Sequence, residues 1–158
     1  MTAALIAFGS NLQSPADQVR RAAAAVAALP QIRSLKLSPL YRTAPVGYPG
    51  QPDFVNAAAL AEADGTAVEL LHALQRIEQQ FGRERSFPNA PRTLDLDLID
   101  FGGETLCSTE LVLPHPRAHL RAFVMRPAAD VAPQYRIGSH GTAAELAAAL
   151  GWDGICLL

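Results

Sequence analysis

The spacing of apolar and polar positions changes period several times along this chain. Residues 2–9, TAALIAFG, are apolar on both parities, which predicts a strand buried on both faces. After SNLQ the apolar positions move to helical spacing at Val19, Ala22, Val26 and Leu29. Ser14 stands as N-cap, Pro15 at the first helical position and Asp17 in the first turn, and Pro30 stops the run. LKLSPLYRT predicts a second strand interrupted by its proline, and APVGYPGQP a loop. DFVNAAALAE predicts a third strand. Val68, Leu71, Leu74, Ile77 and Phe81 stripe one face of a helix opened by a Thr66/Glu69 capping box and ended at Gly82. RERSFPNAP is a polar loop, and RTLDLDLIDFG alternates like a strand. ETLCSTELVLPHP reads as extended with turns, RAHLRAFVMRPAADVAP as a short helix, and Thr142 with Glu145 as the capping box of a last helix closed near Gly151.

The resulting order, βαββαβ with a mixed tail, predicts an α+β ferredoxin-like sandwich: an antiparallel sheet with helices packed on one face. No repeat or linker divides the chain, so residues 1–158 are expected to form a single domain.

Composition narrows the function. At 49% apolar residues the chain is globular rather than disordered. No apolar run reaches the length of a membrane span, and the apolar start lacks a charged n-region and a cleavage site. Cys107 and Cys156 show no framework or metal spacing, so a reduced, cytoplasmic setting is expected. The net charge of −2 argues against a nucleic-acid binder that works by neutralising phosphates. Of the thirteen basic residues only Lys36 is a lysine. With no G-x-x-x-x-G-K-[ST] loop, phosphate handling would fall to arginine and metal.

The acidic strand raises the sharpest question, because aspartate is depleted in strands. Asp95 and Asp97 share one face, and Leu94, Leu96 and Leu98 the other. The two carboxylates stand roughly 7 Å apart along the strand and suit Mg²⁺, which takes oxygen ligands and keeps places for water and phosphate. Alone, such a pair fits a solvated outer face better. Arg83 and Arg85 after the helix and Arg92 before the strand shift the balance. A helix dipole explains Arg83 but not three arginines beside two aspartates. By parity Asp100 falls on the leucine face unless the strand bulges or ends there, and it is given no role.

These residues, in order, resemble the 6-hydroxymethyl-7,8-dihydropterin pyrophosphokinase (HPPK) family. AFGSNL (7–12), LYRTAPVG (40–47), QPDFVNAA (51–58), RIEQQFGR (76–83), APRTLDLDLI (90–99) and LPHPRAHLRAF (113–123) all carry the likeness, which runs along nearly the whole chain. The resemblance implies transfer of the terminal two phosphates of ATP, as a unit, to the hydroxymethyl group of the pterin, with AMP leaving. It implies that Asp95 and Asp97 hold two Mg²⁺ ions against ATP and that Arg83 and Arg92 clamp the phosphates. It places the pterin among Thr43, Ala44, Val46, Phe54, Asn56 and Phe123. It places ATP near Leu71, Gln75, Glu78, Arg83, Arg85, Arg92, His115 and Arg121. Phe54 stands where many relatives carry tyrosine, and Phe87 where a lid tryptophan is common. Glu110 and Val112 depart from the family's basic and hydroxylated positions, so no contact is carried over to them.

On chemistry alone, Glu78 equally fits an exposed helix position and Phe123 an ordinary core, while Asn56 in a strand wants a partner. His72 reads as structural. Pro116 argues against His115 and His119 as a helical metal pair. The expected partners are the two small-molecule substrates, with no nucleic acid and no membrane, and the chain is expected to act as a monomer. A non-catalytic ligand-binding domain of this fold would not need the aspartates and arginines together. An RNA-binding sheet would want more aromatics than 6%.

Overall fold

The computed structural model describes residues 1–11, 14–44, 53–82 and 94–158. In chain order the elements are β1 (Thr2–Ser10), α1 (Pro15–Ala27), β2 (Ile32–Leu37), β3 (Tyr41–Thr43), β4 (Phe54–Ala63) and α2 (Ala67–Gly82). There follow β5 (Asp95–Phe101), β6 (Leu106–Cys107), β7 (Val112–Leu113), a 3₁₀ turn (Ala118–Leu120), α3 (Ala122–Val131), α4 (Ala143–Leu150) and β8 (Ile155–Leu157). The main sheet is antiparallel and runs β5-β1-β4-β3-β8, with β2 pairing the far half of β4. Strands β2 and β3 are the two halves of the proline-interrupted strand. Where Pro39 lacks an N–H, Ser38 bridges the gap. Its N–H donates to Ala58 O at 2.8 Å and its Oγ accepts from Ala58 N at 3.0 Å.

Helices cover both faces, not one. On the first, α1 and α2 lay Val19, Val26, Leu70, Leu74 and Ile77 on Ile6, Phe8, Leu96 and Leu98. Each such side chain contributes about 1.5–3 kcal/mol when fully buried. On the second, Val124, Met125, Ala128, Ala143 and Ala147 of α3 and α4 cover Leu5, Ala7, Ala58 and Ile99. Small residues on the sheet let α3 approach closely. No helix among the described residues is long and apolar enough to cross a membrane.

Both capping boxes form. Thr66 and Glu69 exchange side-chain bonds with each other's N–H groups, as do Thr142 and Glu145. Ser14 occupies the N-cap position of α1, but its side chain makes no cap bond and its φ is +54°. The pairing of β1 with β5 also departs from simple register. Ile6 pairs with Leu98 but Leu5 with Asp100, leaving Ile99 as a bulge. The extra residue turns Asp100 away from the leucine face and onto the face of Asp95 and Asp97, so the strand does bulge where parity made Asp100 awkward.

Candidate active site

The second face of the sheet carries a cavity of about 310 Å³. Its floor is set by strand register. Asp95 lies opposite Gly9, Gly9 opposite Asn56, and Asp97 opposite Ala7. Because the central strand offers only Gly9 and Ala7 here, a hollow remains between the acidic strand and Asn56. A Cβ on Gly9 would come within 2.9 Å of Asn56 Nδ2 and push the Asn56 amide from its place. Thr43, Ala44 and Phe54 close one side, and Arg121, Phe123 and Val124 at the start of α3 form the opposite wall.

Eight expected residues therefore meet in one hollow: Thr43, Ala44, Phe54, Asn56, Asp95, Asp97, Arg121 and Phe123. Asn56 and Thr43 are buried, and Thr43 Oγ1 donates to Asn56 Oδ1 at 2.7 Å. That bond occupies the amide oxygen and fixes the amide orientation, which turns the Nδ2 donors to the space beside Gly9. The Arg121 guanidinium sits 5.6 Å from the Phe123 ring centre, a cation–π distance. Asp95 and Asp97 are exposed on the cavity side, whereas Leu94, Leu96 and Leu98 are buried beneath the helices.

The residues expected near the nucleotide on α2 line a different surface. Leu71, Gln75 and Glu78 share one helix face beside the outer edge of β5 and do not border the cavity. Gln75 is exposed, Leu71 packs partly into the core, and Glu78 Oε2 accepts the Leu96 N–H at 2.9 Å. Glu78 thus satisfies a backbone donor at the sheet edge.

His115 stands next to the acidic strand. Its N–H donates to the bulge carbonyl of Ile99 at 2.8 Å. Burial holds its ring below the ordinary histidine range, against the pull of the Asp97 carboxylate, and Arg121 and Arg117 lower it further. The ring is therefore neutral at pH 7. Its Nδ1 accepts the Arg117 N–H at 3.2 Å, so the ring proton sits on Nε2 as a donor. His119 stacks on His140 with ring centres 3.5 Å apart. His72 is exposed and paired with Glu110.

Val46, Arg83, Arg85, Arg92 and Phe87, with the loops that carry them, lie outside the described residues. Ala7, Gly9 and Val124 line the cavity without having been singled out. A glycine inside a doubly buried strand was the available signal for Gly9.

Residues 5–133 match the family model of 7,8-dihydro-6-hydroxymethylpterin-pyrophosphokinase (HPPK). The chain belongs to the HPPK family. It is 42% identical over 150 residues to the 2-amino-4-hydroxy-6-hydroxymethyldihydropteridine pyrophosphokinase of Pseudomonas aeruginosa, covering 95% of this chain and 93% of that one. The enzyme of the same name from Bacillus subtilis is 37% identical over 142 residues, covering 90% and 84%. In fold the chain is similar to a Plasmodium falciparum HPPK-DHPS at TM-score 0.74 and 12% identity, covering 94% of this chain and 45% of the other. The chain thus spans under half the length of that solved protein, and the likeness there is one of fold.

The donors present fit the divalent metal that HPPK chemistry implies. Asp95 and Asp97 offer hard oxygen atoms on one exposed strand face. Among the described residues no three His, Cys, Asp or Glu side chains gather as a complete metal site. Two carboxylates suit an ion whose remaining ligands come from water and phosphate.

Proposed function

We propose that this cavity is where the chain, a pyrophosphokinase of folate biosynthesis, transfers pyrophosphate from ATP to 6-hydroxymethyl-7,8-dihydropterin. The observation that carries the reading is the convergence of Asp95 and Asp97 with Asn56, Thr43 and Phe123 around one hollow. An acidic metal-binding edge and a flat-ring pocket then stand side by side, which is what a two-substrate displacement needs.

The pterin ring lies between Phe54 and Phe123, with its polar edge on the Asn56 amide and the backbone around Thr43, Ala44 and Val46. Its hydroxymethyl group points toward the acidic strand. The hydroxymethyl oxygen gives up its proton to solvent and bonds to the β-phosphorus, the bond from that phosphorus to the α,β-bridging oxygen breaks, and AMP leaves with the bridging oxygen. Asp95 and Asp97 hold Mg²⁺, two ions in the full complex, whose charge offsets that of the triphosphate oxygens. Arg83, Arg92 and Arg121 bind phosphate oxygens, with Arg85 nearby. His115 donates from Nε2 toward the nucleotide. Leu71, Gln75 and Glu78 form the side of α2 along which ATP lies. Among the described residues no serine or cysteine lines the cavity, and the transfer proposed is direct. The protein works as a cytoplasmic monomer on these two small molecules, without nucleic acid or membrane.

The test is AMP release from ATP in the presence of Mg²⁺ and the reduced hydroxymethylpterin. One AMP is expected per pterin diphosphate formed. ADP as the product, or AMP release independent of the pterin, would overturn the reading.

A further inference from the structure

Residues 151–158 lie beyond the 5–133 span of the family match, yet they touch both walls of the cavity. On one side, β8 pairs with β3 through Tyr41–Leu157, Arg42–Cys156 and Thr43–Ile155. The pairing continues past both ends: Ala44 N–H donates to Gly154 O at 3.1 Å, and Leu158 N–H to Leu40 O at 3.0 Å. Strand β3 has only three residues, and without β8 it would be a sheet edge whose last residue, Thr43, borders the cavity together with Ala44 just after it. Short edge strands are weakly held.

On the other side, Trp152 reaches α3. The Arg126 guanidinium lies 4.1 Å from its ring centre, and Arg126 Nη2 donates to Ala147 O at 3.0 Å. Arg126 follows Phe123 by three residues, so the helix turn that Trp152 covers is the one that carries the aromatic wall. The Tyr41 ring lies 6.0 Å from Trp152, and its hydroxyl donates to Asp130 on the same helix. Trp152 therefore sits where β3 and α3 are tied together. It is 52% exposed, more than core filling would require.

We propose that the C-terminal segment Gly151–Leu158 is a brace that sets the gap between the two pterin walls, with Trp152 as its positioning residue. The inference rests on the reading that Thr43, Ala44, Asn56 and Phe123 hold the pterin. It is selective by topology. The metal-binding aspartates stand on β5, at the far end of the sheet order from β8, so loosening the brace falls mainly on the ring pocket, although Arg121 at the start of α3 shares the braced wall.

Steady-state kinetics on the full chain, with each substrate varied in turn, test this in Trp152→Ala, Trp152→Phe and Asn56→Ala. Loss of the cation–π cover in Trp152→Ala is expected to raise the pterin KM about fivefold, with the ATP KM and kcat within about twofold. Trp152→Phe, which keeps a ring under Arg126, is expected to recover most of the loss. Should Trp152→Ala not fold, Trp152→Leu keeps the bulk without the π face and carries the same expectation. If Asn56→Ala raises the pterin KM and the Trp152 variants do not, the brace is wrong and the pocket reading stands. An unchanged pterin KM in Asn56→Ala defeats the pocket reading and the brace with it. A parallel rise in both KM values, or a fall in kcat alone, signals general loosening and overturns the brace.

Discussion

At the scale of single residues, the cavity separates those with chemistry from those that merely surround it. Asp97 is exposed, opposite Ala7, and beside the neutral ring of His115. Replacing it with alanine removes the proposed metal ligand but no core contact. Asp97→Ala is expected to abolish AMP release while the apo protein melts at or slightly above the wild-type temperature, since like-charge repulsion with Asp95 is relieved. Near-normal turnover at saturating Mg²⁺ would remove Asp97 from the metal site. Arg92 stands three residues before Asp95 in sequence, and in the proposed function it binds phosphate oxygens. An electrostatic donor to developing charge shows in the transfer step and not in ground-state binding. Arg92→Ala should slow single-turnover transfer on the order of a hundredfold while pterin binding changes little. A fall below about threefold would make it a surface arginine paired to an acid. Asp95, Asp97 and Asn56 were legible because acids and an amide are chemically out of place in strands, whereas Thr43, Ala44, Phe54, Arg121 and Phe123 were legible only through the family resemblance. Gly9 and Ala7 were not singled out, because an empty space is made by residues that contribute nothing to it.

At the scale of elements, local signals succeeded where the physics is local. Both capping boxes follow from residues three apart, and both form. Their backbone and hydroxyl bonds hold the Glu69 and Glu145 carboxyls below the ordinary range. With folded values below the unfolded ones, their stabilisation is complete above the unfolded pKa and is lost as pH falls through the folded values. Glu69→Gln with Glu145→Gln is expected to flatten the acid limb of the Tm–pH curve below about pH 4.5, leaving pH 7 behaviour to the weaker amide cap. An unchanged acid limb would show that the caps do not titrate with folding. Ser14 shows the opposite case: residue type matched an N-cap, but a left-handed backbone leaves its hydroxyl unused. The Ile99 bulge is set by pairing with β1, and its signal within β5 was Asp100, an acid that unbroken parity would place on the leucine face. Asp100 is fully buried there, accepting Tyr135 Oη at 2.5 Å and Gly103 N–H at 2.9 Å. Burial and that carboxylate raise the Tyr135 hydroxyl well above its usual range, so it stays a donor. Because the bulge carbonyl holds His115, this clamp also seats the site. Tyr135→Phe should destabilise the fold by about 1–3 kcal/mol through a buried carboxylate short of a donor, measured by chemical denaturation. A change within about 0.5 kcal/mol would show that Asp100 is satisfied without it.

At the scale of the whole molecule, the sequence carried a clue that the one-face expectation overrode. A first strand buried on both faces needs cover on both, and α3 with α4 provide the second layer. The βαββαβ core was readable because its crossovers follow from element order. The placement of the tail was not, because amphipathic spacing gives a helix a buried side without saying which face it covers. That second layer makes the cavity: the sheet supplies the acidic edge and Asn56, and α3 supplies the roof. The site therefore exists only in the folded chain, and ligands that need it must stabilise the fold. A non-hydrolysable ATP analogue with Mg²⁺ at about 100 times its Kd should add about 2.7 kcal/mol. For a chain of this length that is a Tm rise of roughly 5–10 °C. Chelating the metal should remove most of the rise if Asp95 and Asp97 grip the triphosphate through Mg²⁺, because bare carboxylates repel the phosphates. Asp95→Ala should lose the same Mg²⁺-dependent part and keep what the arginines supply. A rise that survives chelation in full would place the nucleotide on the arginines alone and leave the acidic strand without its metal.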